Sequence, residues 1–399
     1  MKPAKFRIAL LLVVIYLAFI GLGLPDSLLG TAWPGMRSEF GAPVSYAGIL
    51  STLISGCTIV SSLLSGRLSE RISDGVMTAA SVGMTALALW GFATADSFAA
   101  LCLWAFPYGL GAGSVDTVLN HFVASRFEAK HMNWLHCFWG IGAALGPYVT
   151  RASLLSGTGW RGGYGRISLI QLALTMILFL SLPLWKKASG ARTDEAGKER
   201  TSGIRELFRL PGAKKVLIAF FCYCSLEQVT GLWCASYLIE TKGVAAERAA
   251  FLLGLFYLAI TAGRFVSGFL TVVLKTDQVI RLGLAILLAG LLFLNFSRAI
   301  PALELSVLLI GLGCAPIYPC LLRQTPERFG EKASRPMMGL QMAFVSIGGT
   351  LSPPIVGAVS ERAGLGAVIA FQLFFWLALV ITSRRGNAYP LIRHSEIID

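Results

Sequence analysis

The chain has 399 residues, of which 55% are hydrophobic and 14% charged, with a mean hydropathy of +0.69. A soluble globule carries charge at about 25% of positions, so this composition excludes that class and describes a polytopic membrane protein. The formal net charge of +13 raises nucleic-acid binding as an alternative, but the basic residues are scattered over loops and helix ends, where they suit anionic lipid.

Crossing about 30 Å of hydrocarbon takes about 20 helical residues at 1.5 Å each. Stretches of that kind are predicted near 7–30, 43–65, 75–95, 98–124, 132–156, 164–185, 214–239, 246–271, 277–296, 301–324, 337–359 and 364–383. The basic start followed by an apolar run imitates a secretory leader. The run extends past Leu22 into further spans with no convincing small-residue cleavage site, and it reads as the first span.

With the N-terminus cytoplasmic, 25 of the 34 Lys and Arg residues fall inside, eight fall outside, and Arg264 lies within a span. That bias places both termini in the cytoplasm of a multi-pass protein of the cell membrane. All eight cysteines fall inside predicted spans and read as small core residues, neither disulfides nor metal ligands.

From Lys186 to Lys215 the composition turns to Lys, Arg, Glu, Gly and Ser. The expected organisation is therefore a six-helix bundle over 1–186, a cytoplasmic loop over 187–213, a second bundle over 214–384 and a cytoplasmic tail over 385–399. The halves repeat one another. Gly109-Leu110-Gly111 recurs as Gly311-Leu312-Gly313, Arg126-Phe127 as Arg328-Phe329, Ile141-Gly142 as Ile347-Gly348 and Gly66-Arg67 as Gly263-Arg264. Asp26 and Gly30 fall opposite Glu227 and Gly231. Six spans separate equivalent positions, so the halves share one orientation: parallel repeats about an axis along the membrane normal, with solute expected between the halves near the midplane. The fold class is all-α, twelve transmembrane helices in two pseudo-symmetric bundles.

Gly66-Arg-Leu-Ser-Glu70-Arg71, after the second span, resembles the Gly-x-x-x-Asp-Arg signature of the major facilitator superfamily, with Glu in place of Asp and most of the trailing basic cluster missing. The resemblance covers the whole chain. The segments Gly109 to Asn120, Asn133 to Gly140, Ile317 to Leu321 and Pro326 to Gly330 are similar to the fucose:proton symporter group and its hexose-transporting relatives. In that group carboxylates of the first and fourth spans take part in proton coupling and sugar binding, and Asp26 and Asp116 are the matching positions.

The residues support this independently. Asp116 lies in an otherwise apolar or small-residue run, where a carboxylate costs about 2.5–3.5 kcal/mol on insertion scales and usually faces a cavity. A structural hydrogen bond is its other reading. Asn120, four residues on, shares its helical face and offers both donor and acceptor. Asp26 follows Pro25, where a helix can break, and a capping role is the alternative there. A carboxylate in a low-dielectric cavity can load and release a proton as access alternates between leaflets. Sodium remains open, since Ser114 and Thr117 hydroxyls beside Asp116 could coordinate a hard cation.

Glu227 and Gln228 interrupt the seventh span, with Trp233 following as Trp33 follows Asp26. An aromatic ring beside carboxylates and amides suits a sugar, whereas the plain reading of either Trp, and the stronger one for Trp33, is an interfacial belt. Tyr318 falls opposite Asp116 between Pro316 and Pro319 and either lines the same cavity or packs a broken helix. Gln341 and His136 are candidate solute contacts, with interhelical hydrogen bonds as the commoner role. Gly66, Glu70, Arg71 and Asp74 occupy the place of a cytoplasmic gate, and a solvated loop is the alternative. Arg264 joins that gate set and must find an acceptor or snorkel.

The function expected is secondary active transport of a small hydroxylated solute, a monosaccharide by this reading, by proton-coupled symport. A proton antiporter exporting drugs or metabolites, or a transport-inactive sensor, are the alternatives; Gly146-Pro147 alone is a weak exporter sign. The sequence contains no Gly-x-x-x-x-Gly-Lys-[Ser/Thr] loop and no His-Glu-x-x-His, so neither an ATP-driven pump nor an intramembrane metalloenzyme is expected. No cofactor is expected beyond the ion gradient, no partner beyond solute and lipid, and the working unit is read as a monomer.

Overall fold

The structure is a computed structural model that describes residues 3–68, 71–127, 129–188 and 204–383. Among them there is helix and no strand. In chain order the helices are α1 Pro3–Asp26, α2 Leu28–Phe40, α3 Tyr46–Leu68, α4 Asp74–Thr94, α5 Phe98–Arg126, α6 Ala129–Leu155, α7 Gly159–Leu180 and α8 Leu182–Ala188. The second half holds α9 Ile204–Arg209, α10 Ala213–Lys242, α11 Ala246–Val273, α12 Thr276–Phe296, α13 Ile300–Cys314, α14 Ile317–Ala363 and α15 Ala367–Ser383. Ten helical stretches among the described residues are long and apolar enough to cross a membrane; Ala367–Ser383 is apolar but has 17 residues, and α6 has 27. The protein is a multi-pass membrane protein.

Three boundaries differ from expectation. The first span was expected at 7–30 but continues to Phe40, with a break at Ser27. Pro25 lacks the N–H that a continuous helix needs, and the buried run Leu28, Leu29, Trp33 and Met36 restarts it. Trp33 therefore sits inside α2, fully buried against the Phe98 ring, and the interfacial-belt reading is corrected. The connection expected between the tenth and eleventh spans is helical on both sides of Gly330, whose φ of 73° only glycine adopts without strain. The inter-domain loop includes α9, while most of it lies outside the described residues.

The chain divides into two compact units. One comprises Met1–Glu195, Gly231–Leu258 and Gly357–Leu365, the other Ala196–Thr230, Ala259–Val356 and Gly366–Asp399. In the first, α1 packs on α6, α3 and α4 on α5, and α4 on α7. Its core gathers Leu11, Ile15, Phe19, Leu119, Phe122, Leu135 and Trp185. Lipid is as apolar as leucine, so such helices are held by close packing and interhelical hydrogen bonds more than by transfer from water. In the second unit α12 packs on α13, and the Trp376 indole donates to the Leu284 carbonyl at 2.8 Å.

Candidate functional site

The break between α1 and α2 makes the first part of the site. Asp26 ends α1, and the Ser27 hydroxyl donates to the Ala143 carbonyl at 2.9 Å, tying the break to α6. Gly23 lets the helices meet closely: a methyl group there would strike the Trp139 carbonyl and lie 2.8 Å from the Ala143 nitrogen. That approach brings the Trp139 indole N–H to Asp26 Oδ2 at 2.7 Å. Asp26 is exposed at the break between the two helices.

The second part is on α5. The Asn120 amide donates to Asp116 Oδ1 and to the Asp116 carbonyl, both at 2.9 Å, and both side chains are half-buried. The one-turn spacing thus produces a hydrogen-bonded pair. Asp116 also lies near enough for its charge to act on Asp26. Ser114, offered above for a cation, is turned to α3 instead, sharing a hydrogen bond with Ser61 at 2.5 Å. No group of three or more His, Cys, Asp and Glu among the described residues is arranged to hold a metal ion.

The second unit, taken by itself, has a charged cluster within its spans. Glu227 on α10 is 8% exposed, and Arg264 Nη2 on α11 lies 3.4 Å from its Oε1. The same nitrogen donates to the Tyr223 hydroxyl at 3.4 Å. Arg264, grouped above with the cytoplasmic gate, is thereby assigned an acceptor within the spans. The Tyr318 ring packs on Tyr223 and Phe220, with centroids 5.8 and 5.6 Å away, and its hydroxyl donates to Met342 Sδ at 3.1 Å.

The remaining candidates are spread out. Gln228 is exposed. Trp233 is fully buried with its ring against Gly357, so protein occupies the place where a sugar would stack. Gln341 is fully buried and exchanges hydrogen bonds with Thr325 at 3.0 and 3.2 Å, an interhelical role. His136 is exposed and meets the Phe19 ring edge-on. Of the gate residues, Asp74 starts α4 and pairs with Arg126 at 3.6 Å, while Arg71 is exposed in the preceding turn. Gly66 lies on α3, and Glu70 falls outside the described residues.

A sequence profile of the Major Facilitator Superfamily matches residues 15–353. The chain belongs to this superfamily. It is a membrane transporter and not an enzyme. Among similar proteins, "Bypass of stop codon protein 6" of Saccharomyces cerevisiae is 23% identical over 426 residues, covering 96% of this chain and 83% of that one. The "Probable hexose phosphate transport protein" of Chlamydia pneumoniae is 23% identical over 270 residues, covering 60% of this chain and 59% of that one. The crystal structure of the nucleoside transporter NupG shares the fold, with a TM-score of 0.77, 14% identity, and 95% and 98% of the two chains covered.

Two residues of this superfamily member escaped the sequence reading. Trp139 lies in the segment that carried the family resemblance, yet nothing local marks it as the partner of Asp26, 113 positions earlier. Tyr223 was within reach of sequence reasoning, because it precedes Glu227 by one turn on the same helical face.

Proposed function

We propose that this transporter carries a small neutral hydroxylated solute, a monosaccharide, across the cell membrane by alternating access, with a proton moving in the same direction. The observation that carries the reading is the pair Asp26 and Asp116. Both carboxylates lie within spans, and among the described residues their hydrogen-bond donors are neutral, the Trp139 indole and the Asn120 amide. A carboxylate without a cation beside it is free to take up a proton when the cavity opens to one side and release it to the other.

Arg264 bears on the charge of the solute. A sugar phosphate, such as the chlamydial relative's name implies, needs a cation in the site, and Arg264 is a candidate within the spans. Glu227 already offsets that charge, which favours a neutral solute. Within the second unit Glu227, Tyr223 and Arg264 offer both donors and acceptors to hydroxyl groups, and within the first Asn120 does so. The nucleoside named for the structural neighbour is another neutral polyhydroxylated solute.

The test is uptake of radiolabelled fucose, glucose and galactose into proteoliposomes, with and without an inward proton gradient. Wild type should accumulate at least one sugar only with the gradient. Asp116→Asn should lose at least about tenfold of that accumulation and keep counterflow. No accumulation by wild type, or normal accumulation by Asp116→Asn, would sink the reading.

A further inference from the structure

The Asp26 carboxylate is held asymmetrically. Oδ2 accepts the Trp139 indole N–H at 2.7 Å, a short bond of the charge-assisted kind, while no donor among the described residues meets Oδ1. Among the described residues, Asp116 and Tyr108 of α5 are titratable groups within electrostatic reach. Trp139 is itself anchored: Gly23 of α1 packs directly on its backbone, and the adjoining Phe138 ring stacks on Tyr16 with centroids 4.7 Å apart. The indole therefore has little freedom to leave the carboxylate, and the carboxylate, at a helix break, has little intrinsic rigidity of its own.

We propose that Trp139 is the positioning residue of the coupling carboxylate: its N–H commits Oδ2 and leaves Oδ1 of the exposed Asp26 as the oxygen that takes the proton. This rests on the proton-coupled reading above. In the step itself a hydronium ion gives its proton to Oδ1, neutralising the carboxylate and leaving water; the proton passes from the same oxygen to water on the other side once access has switched. The indole N–H stays on its nitrogen throughout, so Trp139 exchanges no proton and acts only through Asp26.

Trp139→Phe tests this because it keeps an aromatic ring on the anchored backbone and removes only the donor. With the same labelled sugars in proteoliposomes, its gradient-driven accumulation should fall by about tenfold or more, while counterflow stays within about threefold of wild type. The pH profile of uptake should change in Trp139→Phe, a readout that a packing role would leave unmoved. The double variant Asp26→Asn/Trp139→Phe should be no worse than Asp26→Asn, because both act on one carboxylate. Normal accumulation by Trp139→Phe, an additive double variant, or parallel loss of counterflow would each overturn the proposal while the coupling reading stands. If wild type itself shows no gradient-driven accumulation, the coupling reading fails and this proposal falls with it.

Discussion

The two halves of the chain repeat one another in sequence, yet they treat their equivalent carboxylates differently. In the first half Asp26 is met by the Trp139 indole and Asp116 by the Asn120 amide; Glu227, the counterpart of Asp26 in the second, is met by Arg264, which also donates to Tyr223. Neutral donors leave a carboxylate able to change its charge, whereas a guanidinium makes any change costly. Under the proposed function, coupling belongs to the carboxylates of the first half and solute recognition to those of the second.

The largest effect that would break this contrast is on coupling. Glu227→Gln should keep gradient-driven accumulation and raise the KM for sugar by about tenfold, whereas Asp116→Asn loses accumulation. Uptake kinetics across both variants decide the matter, and loss of coupling in Glu227→Gln would dissolve the division of labour. Next in size is stability. Arg264→Gln leaves Glu227 without its counter-charge and should lower stability by about 1.5–3 kcal/mol. The double variant Glu227→Gln/Arg264→Gln should recover part of that loss, read as thermal unfolding in detergent. Equal melting of the single and double variants would show that the pair is not coupled.

A smaller contrast lies at the helix ends. In the first half Asp74 at the start of α4 pairs directly with Arg126 at the end of α5, whose guanidinium lies 4.3 Å from the Phe122 ring. In the second half the equivalent Asp277 and Arg328 are linked through Gln324, which stands opposite Phe122 in the repeat: its amide donates to Asp277 at 2.6 Å and accepts from Arg328. Gln324 is fully buried, so Gln324→Leu should cost about 1–3 kcal/mol by removing its hydrogen bonds to two charged side chains. The more exposed Asp74–Arg126 pair should yield no more than about 1 kcal/mol on Asp74→Asn. Thermal unfolding of the two variants should fall in that order, and the reverse order would mean the direct pair is the stronger clamp.

Much of this was legible in the chain. Hydropathy located the spans, Pro25 located the break after Asp26, and the four-residue spacing of Asp116 and Asn120 placed both on one face. Other readings failed for a common reason. Trp33 and Trp233 look like belt or stacking residues from their place in a span, but the depth of an indole depends on what packs over it: Phe98 for one, Gly357 for the other. For Arg264 the sequence said that it must find an acceptor or snorkel, but not which. In the second half the helix continues past it to Val273, which puts the charge among α10 side chains.

By itself the sequence determined what is encoded along one helix: the length and polarity of each span, the repeat, the break at proline and the positions of charges that lipid would not tolerate. These follow from the local chemistry of a chain that must satisfy its own backbone in hydrocarbon. Only the tertiary structure decided which neutral or charged group meets each carboxylate, because Trp139 and Arg264 reach Asp26 and Glu227 from other helices, 113 and 37 residues away. The packing of small residues such as Gly23 sets those meetings, and through them the chemistry each carboxylate can perform.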